Sequence, residues 1–104
     1  MTSEIKSIIE HICISEGMEC SKVILFGSRA RGDFDPLSDY DILIVVDGDI
    51  TRHCKRTLSR KVREALAKKL IGADIIVKST EEIKYYADKV GNVVRYALHE
   101  GIAI

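Results

Sequence analysis

Residues 26–46 read FGSRARGDFDPLSDYDILIVV, and the second half of that stretch decides the fold. Asp41 opens the segment Asp41-Ile42-Leu43-Ile44-Val45-Val46, in which every residue after the aspartate is apolar. A strand with one wet face alternates apolar and polar side chains, whereas an unbroken apolar run has both faces covered. The segment therefore predicts a central strand covered by helices. Asp39 and Asp41 stand two apart at its head, and ten residues separate Asp39 from Gly27-Ser28.

Working outward, Lys22-Val23-Ile24-Leu25-Phe26 reads as a first strand that ends at Gly27, followed by a loop rich in Gly, Asp and the single Pro36. Before it, Ile5, Ile8, Ile9 and Ile12 recur at helical spacing, predicting a helix over 3–16 with Ser3 as cap and Gly17 as stop. After the central strand, Asp47-Gly48-Asp49 is turn chemistry. Thr51 caps a helix running to about Ile71, with Leu58, Val62, Ala65, Leu66 and Leu70 as its inner stripe and Gly72 as terminator. Ala73-Asp74-Ile75-Ile76-Val77 reads as a third buried strand.

Ser79 and Glu82 have capping-box spacing. They predict one long amphipathic helix whose stripe is Ile83, Tyr86, Ala87, Val90, Val93, Val94, Ala97 and Leu98, with Gly91 tolerated inside it and Gly101 closing it. Residues 102–104 are left as an edge strand. The predicted order is α-β-β-α-β-α, an α/β (α+β) fold with a small mixed sheet and helices packed against it. The helix between strands two and three forms a right-handed crossover and sets them parallel. Strands one and two, joined without a crossover helix, are expected to be antiparallel.

At 104 residues with no linker-like segment, the chain is expected to be a single domain, 1–104. The formal net charge is zero, so bulk electrostatics make no case for nucleic acid or an anionic membrane as partner. The charge is nevertheless segregated. Six aspartates and no Lys or Arg lie between Gly32 and Thr51, whereas eight Lys or Arg and one acid, Glu64, lie between Arg52 and Lys69. Arg52, Arg56, Arg60 and Arg63 fall on one helix face, which reads as solvated surface, with an acidic partner or RNA as the alternative. Cys13, Cys20 and Cys54 include no C-x-x-C pair, so no structural zinc site is expected. No signal peptide and no apolar run of membrane-spanning length is present, and a reduced, cytoplasmic setting fits best. Tyr85, Tyr86 and Tyr96 are assigned to the last helix's core stripe or its border, and the three histidines to no role.

The topology places the charges. Parallel strands two and three start at one edge of the sheet, carrying Asp39, Asp41 and Asp74, and antiparallel strand one delivers Gly27-Ser28 to the same edge. In extended backbone, residues two apart point to one face. Carboxylates crowded together repel unless a cation joins them, and magnesium commonly binds one or two carboxylates together with substrate phosphates. Glycine lets backbone approach a phosphate, Ser28 can donate to it, and Arg29 and Arg31 carry forked donors for the same anion. No G-K-[ST] follows, so this is not a Walker loop. The expected site is metal plus polyphosphate.

Gly27-Ser28, ten residues, then Asp39-x-Asp41, with Asp74 in "ADIIV", resembles the nucleotidyltransferase superfamily typified by DNA polymerase beta, and more closely its stand-alone minimal members. The resemblance runs from the strand before Gly27 to the last helix, and implies a polymerase beta palm-like fold. It implies transfer of a nucleoside monophosphate to a hydroxyl with release of pyrophosphate. By the same resemblance Asp39 and Asp41 ligate two magnesium ions, and Asp74 completes the ion that activates the acceptor. Gly27 and Ser28 hold the beta and gamma phosphates of ATP, with Arg29 and Arg31 as further phosphate contacts. Minimal members are often paired with a helical HEPN-class ribonuclease toxin, which implies an antitoxin that adenylylates a toxin tyrosine. The competing expectations are an antitoxin acting by complex formation alone and transfer to a small molecule. With no segment after Ile104 to bind base or acceptor, a partner or a second copy is expected to supply those contacts, as a homo- or hetero-oligomer.

Overall fold

The computed structural model describes residues 2–33 and 35–104. Its elements are α1 (Thr2–Ser15), β1 (Cys20–Phe26), α2 (Ser28–Arg31), β2 (Tyr40–Val46), α3 (Arg52–Ala67), β3 (Ala73–Ser79), α4 (Thr80–Tyr86), α5 (Val93–Glu100) and β4 (Ile102–Ala103). The four strands form one mixed sheet in the order β3-β2-β1-β4. β1 runs antiparallel to β2 and to β4, and β2 runs parallel to β3.

The apolar run of β2 is buried on both faces because each face has its own core. Ile42, Ile44 and Val46 pack with Ile5, Ile9 and Cys13 of α1 and with Leu58, Val62 and Leu66 of α3. Leu43 and Val45 point the other way, to Val94 and Ala97 of α5, with Ile83 and Tyr86 of α4 beside them. The two sets alternate along β2 with the period of a strand. Two thin cores share one sheet.

The Thr51 and Ser79 capping signals hold, whereas Ser3, expected to cap the first helix, lies inside α1. Cys54 N donates to Thr51 Oγ1 at 3.1 Å, and the Ser79–Glu82 box is closed in both directions at 3.1 Å each. Burial pushes the Glu82 carboxyl up, but hydrogen bonds from Lys55 and the Ser79 N–H, with the charges of Lys55 and Lys78, outweigh it and leave the group below its ordinary range.

Three expectations need correcting. The loop after Gly27 contains a helical turn, α2. The long final helix is two helices: Gly91 adopts φ 82° and Asn92 caps a fresh start, its Oδ1 accepting from Val94 N at 2.8 Å. Val90, assigned to the inner stripe, lies in this break and is 86% exposed, and Val93 is 47% exposed. The tolerance for Gly91 loses to a left-handed glycine followed by a good N-cap residue, which is a stop-and-start signal. Third, α3 ends at Ala67 rather than near Ile71, and Leu70 is 95% exposed instead of buried.

The end of α3 has a specific geometry. Leu70 N donates to Ala67 O at 2.9 Å and Ile71 N to Leu66 O at 3.0 Å, with Leu70 left-handed at φ 61°. This is a Schellman motif, which turns Ile71 back into the core and Leu70 out to water. At the end of α1 the same pair is made by Gly17 N to Ile14 O at 3.0 Å and Met18 N to Cys13 O at 2.8 Å. There the left-handed residue is a glycine, at φ 71°.

Candidate active site at one sheet rim

Three strand ends meet at one rim. Phe26, the last residue of β1, pairs with Asp41, and Asp41 pairs in parallel register with Asp74. The antiparallel and parallel ladders thus bring Gly27, Asp41 and Asp74 side by side. Odd-numbered positions of β2 face the α4–α5 layer, so the Asp41 side chain leaves the sheet on that side. Asp39 lies just before β2.

Two glycines carry the paired aspartates. A side chain at Gly27 would collide with Asp41 Oδ2, and one at Gly72 would collide with Asp39 Oδ1. Gly27 also takes φ 75°, a conformation that disfavours L side chains. Gly72, which the sequence suggests only as a helix stop, is therefore the seat of Asp39, and its carbonyl accepts from Tyr40 N at 3.0 Å.

Among the described residues, no protein group donates a hydrogen bond to the side chains of Asp39, Asp41 or Asp74, and none forms an ion pair with them. Burial, then the charges of Asp74 and Asp39, push the Asp41 carboxyl above its ordinary value, with Arg31 pulling the other way. Net negative charge is stored at a partly buried point. No group of three or more His, Cys, Asp or Glu side chains among the described residues is gathered closely enough to hold a metal by itself. The carboxylates suit a hard cation that takes oxygen ligands from elsewhere as well, such as phosphate and water.

The two arginines of α2 have separate surroundings. Arg29 donates to Ser38 O at 2.9 and 3.2 Å and to Pro36 O at 3.0 Å, and its guanidinium sits 4.3 Å from the centroid of the Tyr40 ring. It staples the loop to the first turn of β2 on the α1–α3 side. Arg31 lies on the other side, donating to Tyr96 Oη at 2.8 Å and to Asp33 Oδ2 at 3.2 Å. Tyr96 in turn meets Phe26 edge-to-face at 6.3 Å. Ser28 opens α2, and its hydroxyl has no protein partner among the described residues.

The comparisons with known proteins converge on this architecture. The nucleotidyltransferase domain model matches residues 5–102. The chain belongs to the nucleotidyltransferase family. A Methanocaldococcus jannaschii protein with the provisional name protein adenylyltransferase MJ0141 is 39% identical over 72 residues, covering 68% of this chain and 72% of its own length. The crystal structure of a provisionally named nucleotidyltransferase from Sulfolobus solfataricus superposes with a TM-score of 0.60 at 28% identity, covering 94% of this chain and 73% of that one. A chain from a toxin-antitoxin crystal structure with AMP-PNP has the same fold, with a TM-score of 0.57 at 17% identity over 93% of this chain and 69% of that one.

As a nucleotidyltransferase, the chain is an enzyme of a family that generally uses a nucleoside triphosphate and a divalent metal. The sequence motif leaves out Gly72, Tyr40 and Tyr96. A second Gly before the third strand could have pointed to the first. Nothing local to Tyr96 could have paired it with Arg31, 65 residues earlier. Among the described residues, no helix is long and apolar enough to cross a membrane.

Proposed function

We propose that residues 1–104 act as one minimal nucleotidyltransferase domain that moves AMP from ATP to a tyrosine hydroxyl of a partner protein. The observation that carries this is the rim itself: three carboxylates that have no protein partner among the described residues, beside a glycine-serine turn. In the reaction the acceptor oxygen attacks the alpha phosphorus in line, the bond to the beta-phosphate oxygen breaks, and pyrophosphate leaves. The acceptor's proton passes to Asp74 or to water. Asp39, Asp41 and Asp74 would hold magnesium together with phosphate oxygens, and the ion, when bound, would supply charge stabilisation to the attacking and leaving oxygens.

Each residue then has a task. Asp41, poised by burial and its neighbours, gains most from a cation, because the same charge that repels Asp74 and Asp39 attracts metal. The Gly27 backbone and Ser28 hydroxyl seat the distal phosphates. Arg31, oriented by Tyr96 and Asp33, contacts the triphosphate directly. Arg29, engaged with Pro36 and Ser38, contributes to phosphate binding by holding the loop in shape. The relative named as a protein adenylyltransferase favours AMP as the group and protein as the acceptor. The toxin-antitoxin neighbours share this fold and support a protein partner, while the HEPN-type toxin and the cytoplasmic setting rest on the family resemblance and the sequence reading.

The test is labelling. The purified chain, alpha-labelled ATP, magnesium and the product of an adjacent gene should yield a labelled acceptor. Label should disappear with EDTA and with Asp41→Ala. Equal labelling by wild type and Asp41→Ala would remove Asp41 from the mechanism, and neutralisation of the toxin without any labelling would favour complex formation alone.

A further inference from the structure

Alongside β3, between α3 and α4, the arginines of α3 line a groove of about 770 Å³. Arg52, Lys55, Arg56, Arg60 and Arg63 form one wall, and Lys78, Glu82 and Tyr86 the other. Glu82 is the one carboxylate in this lining, and it is already committed to Lys55 at 2.8 Å and Lys78 at 3.8 Å. Arg60 is paired with Glu64 at 3.3 Å. Among the described residues, Arg52, Arg56 and Arg63 have no carboxylate partner.

Three uncompensated guanidinium groups thus share one groove. They recur every one to two turns along a helix, spanning about 16 Å at 1.5 Å rise per residue. Unrelieved charge of one sign in a concave surface concentrates counter-ions and steers polyanions toward it. The six aspartates between Gly32 and Thr51 cancel this charge in the sum, so the net value of zero conceals it.

The composition of the groove discriminates between polyanions. The centre of a protein contact is depleted in Lys and Glu, and its Trp, Tyr and Arg anchors sit in desolvated pockets, whereas this groove is open and carries Lys55, Lys78 and Glu82 among its arginines. The exposed large hydrophobics Ile14, Leu37, Leu70, Tyr85, Val90, Val93, Tyr96 and Ile102 all lie outside it. What the groove offers is forked cationic donors, suited to phosphate, and one partly buried aromatic, Tyr86, whose ring meets Tyr85 edge-to-face at 4.9 Å and Lys78 Nζ at 5.1 Å from its centroid. Positive grooves with an aromatic platform track a phosphate backbone and stack an unpaired base.

We propose that this groove binds single-stranded nucleic acid, through Arg52, Arg56 and Arg63 on successive phosphates. The site is separate from the proposed catalytic rim and does not depend on it.

The test is fluorescence anisotropy of a labelled 12-nucleotide oligouridylate in EDTA, titrated with the protein from 50 to 200 mM salt. Binding is expected at low salt, with log K falling against log salt with a slope of about −2, from three phosphates at roughly 0.7 each. Arg52→Gln, Arg56→Gln and Arg63→Gln should each flatten the slope by about 0.7. The triple Gln variant should lose at least tenfold in affinity with an unchanged circular dichroism spectrum, while the triple Lys variant should keep most of it. Asp41→Asn should bind as wild type does. Absence of binding at 50 mM salt overturns the proposal, as does a triple Gln variant that binds normally. So does displacement of the RNA by oligoglutamate as effectively as by unlabelled RNA, which would make the groove a seat for an acidic protein segment. Tighter binding of a 12-base-pair duplex would likewise overturn it.

Discussion

At the scale of single residues, the rim depends on positions where a side chain is missing. Gly27 and Gly72 leave room for Asp41 and Asp39, but they differ in backbone. Gly27 is left-handed and Gly72 is not, so a methyl at Gly72 tests the seat of Asp39 without added backbone strain. Gly72→Ala is expected to lower nucleotidyl transfer by about 100-fold, the scale set by misplacing a reacting group by an ångström, while shifting the thermal midpoint less than Gly27→Ala does. Transfer at wild-type rate by Gly72→Ala would show that Asp39 need not sit where it does. The Asp39-x-Asp41 spacing was legible because it is local. The glycine beneath Asp39 was not, because the contact joins the approach to β2 with the approach to β3 across a crossover helix.

Among elements, helix ends separate what is local from what is not. The Thr51 cap and the Ser79–Glu82 box are settled within four residues, and both form as the sequence suggests. The end of α3 is settled by the burial of Ile71, which is 5% exposed and drags Leu70 into a left-handed conformation. Leu70 loses nothing to solvent by truncation, so its strain can be relieved. Leu70→Gly is expected to stabilise the protein by about 1 kcal/mol, within the cost of a left-handed L-residue, raising the thermal midpoint by about 4–8 °C for a domain near this size. A lowered midpoint would mean that Leu70 is covered by a contact in solution. The break between α4 and α5 belongs to the same scale: apolar periodicity ran through residues 83–98, and only the Gly91-Asn92 pair marked the restart.

For the whole molecule, the sheet register concentrates negative charge at one rim, and this has a consequence for stability. The folded-state pKa of Asp41 lies above its unfolded value, so the native state holds the proton more tightly. Between the two values stability falls as pH rises, and above both the ionised Asp41 carries its full destabilising effect. In EDTA, Asp41→Asn should therefore melt above wild type at pH 7. The gap should narrow as pH falls through the raised pKa and close near the ordinary aspartate value of about 4. Scanning calorimetry across that range measures it, and a gap independent of pH would place the effect elsewhere.

The sequence by itself determined α1 and α3, the covered central strand, the antiparallel and parallel pairings and the convergence of Gly27, Asp41 and Asp74, because periodicity, caps and crossover handedness are short-range properties. Tertiary structure alone decided which faces the loop arginines serve: Arg29 packs on Tyr40 beneath the sheet, and Arg31 reaches Tyr96 above it. It also decided that the α3 arginines line a groove instead of an open helix face. These outcomes depend on how distant segments stack across a sheet two layers of helix deep, and no window of neighbouring residues contains that information.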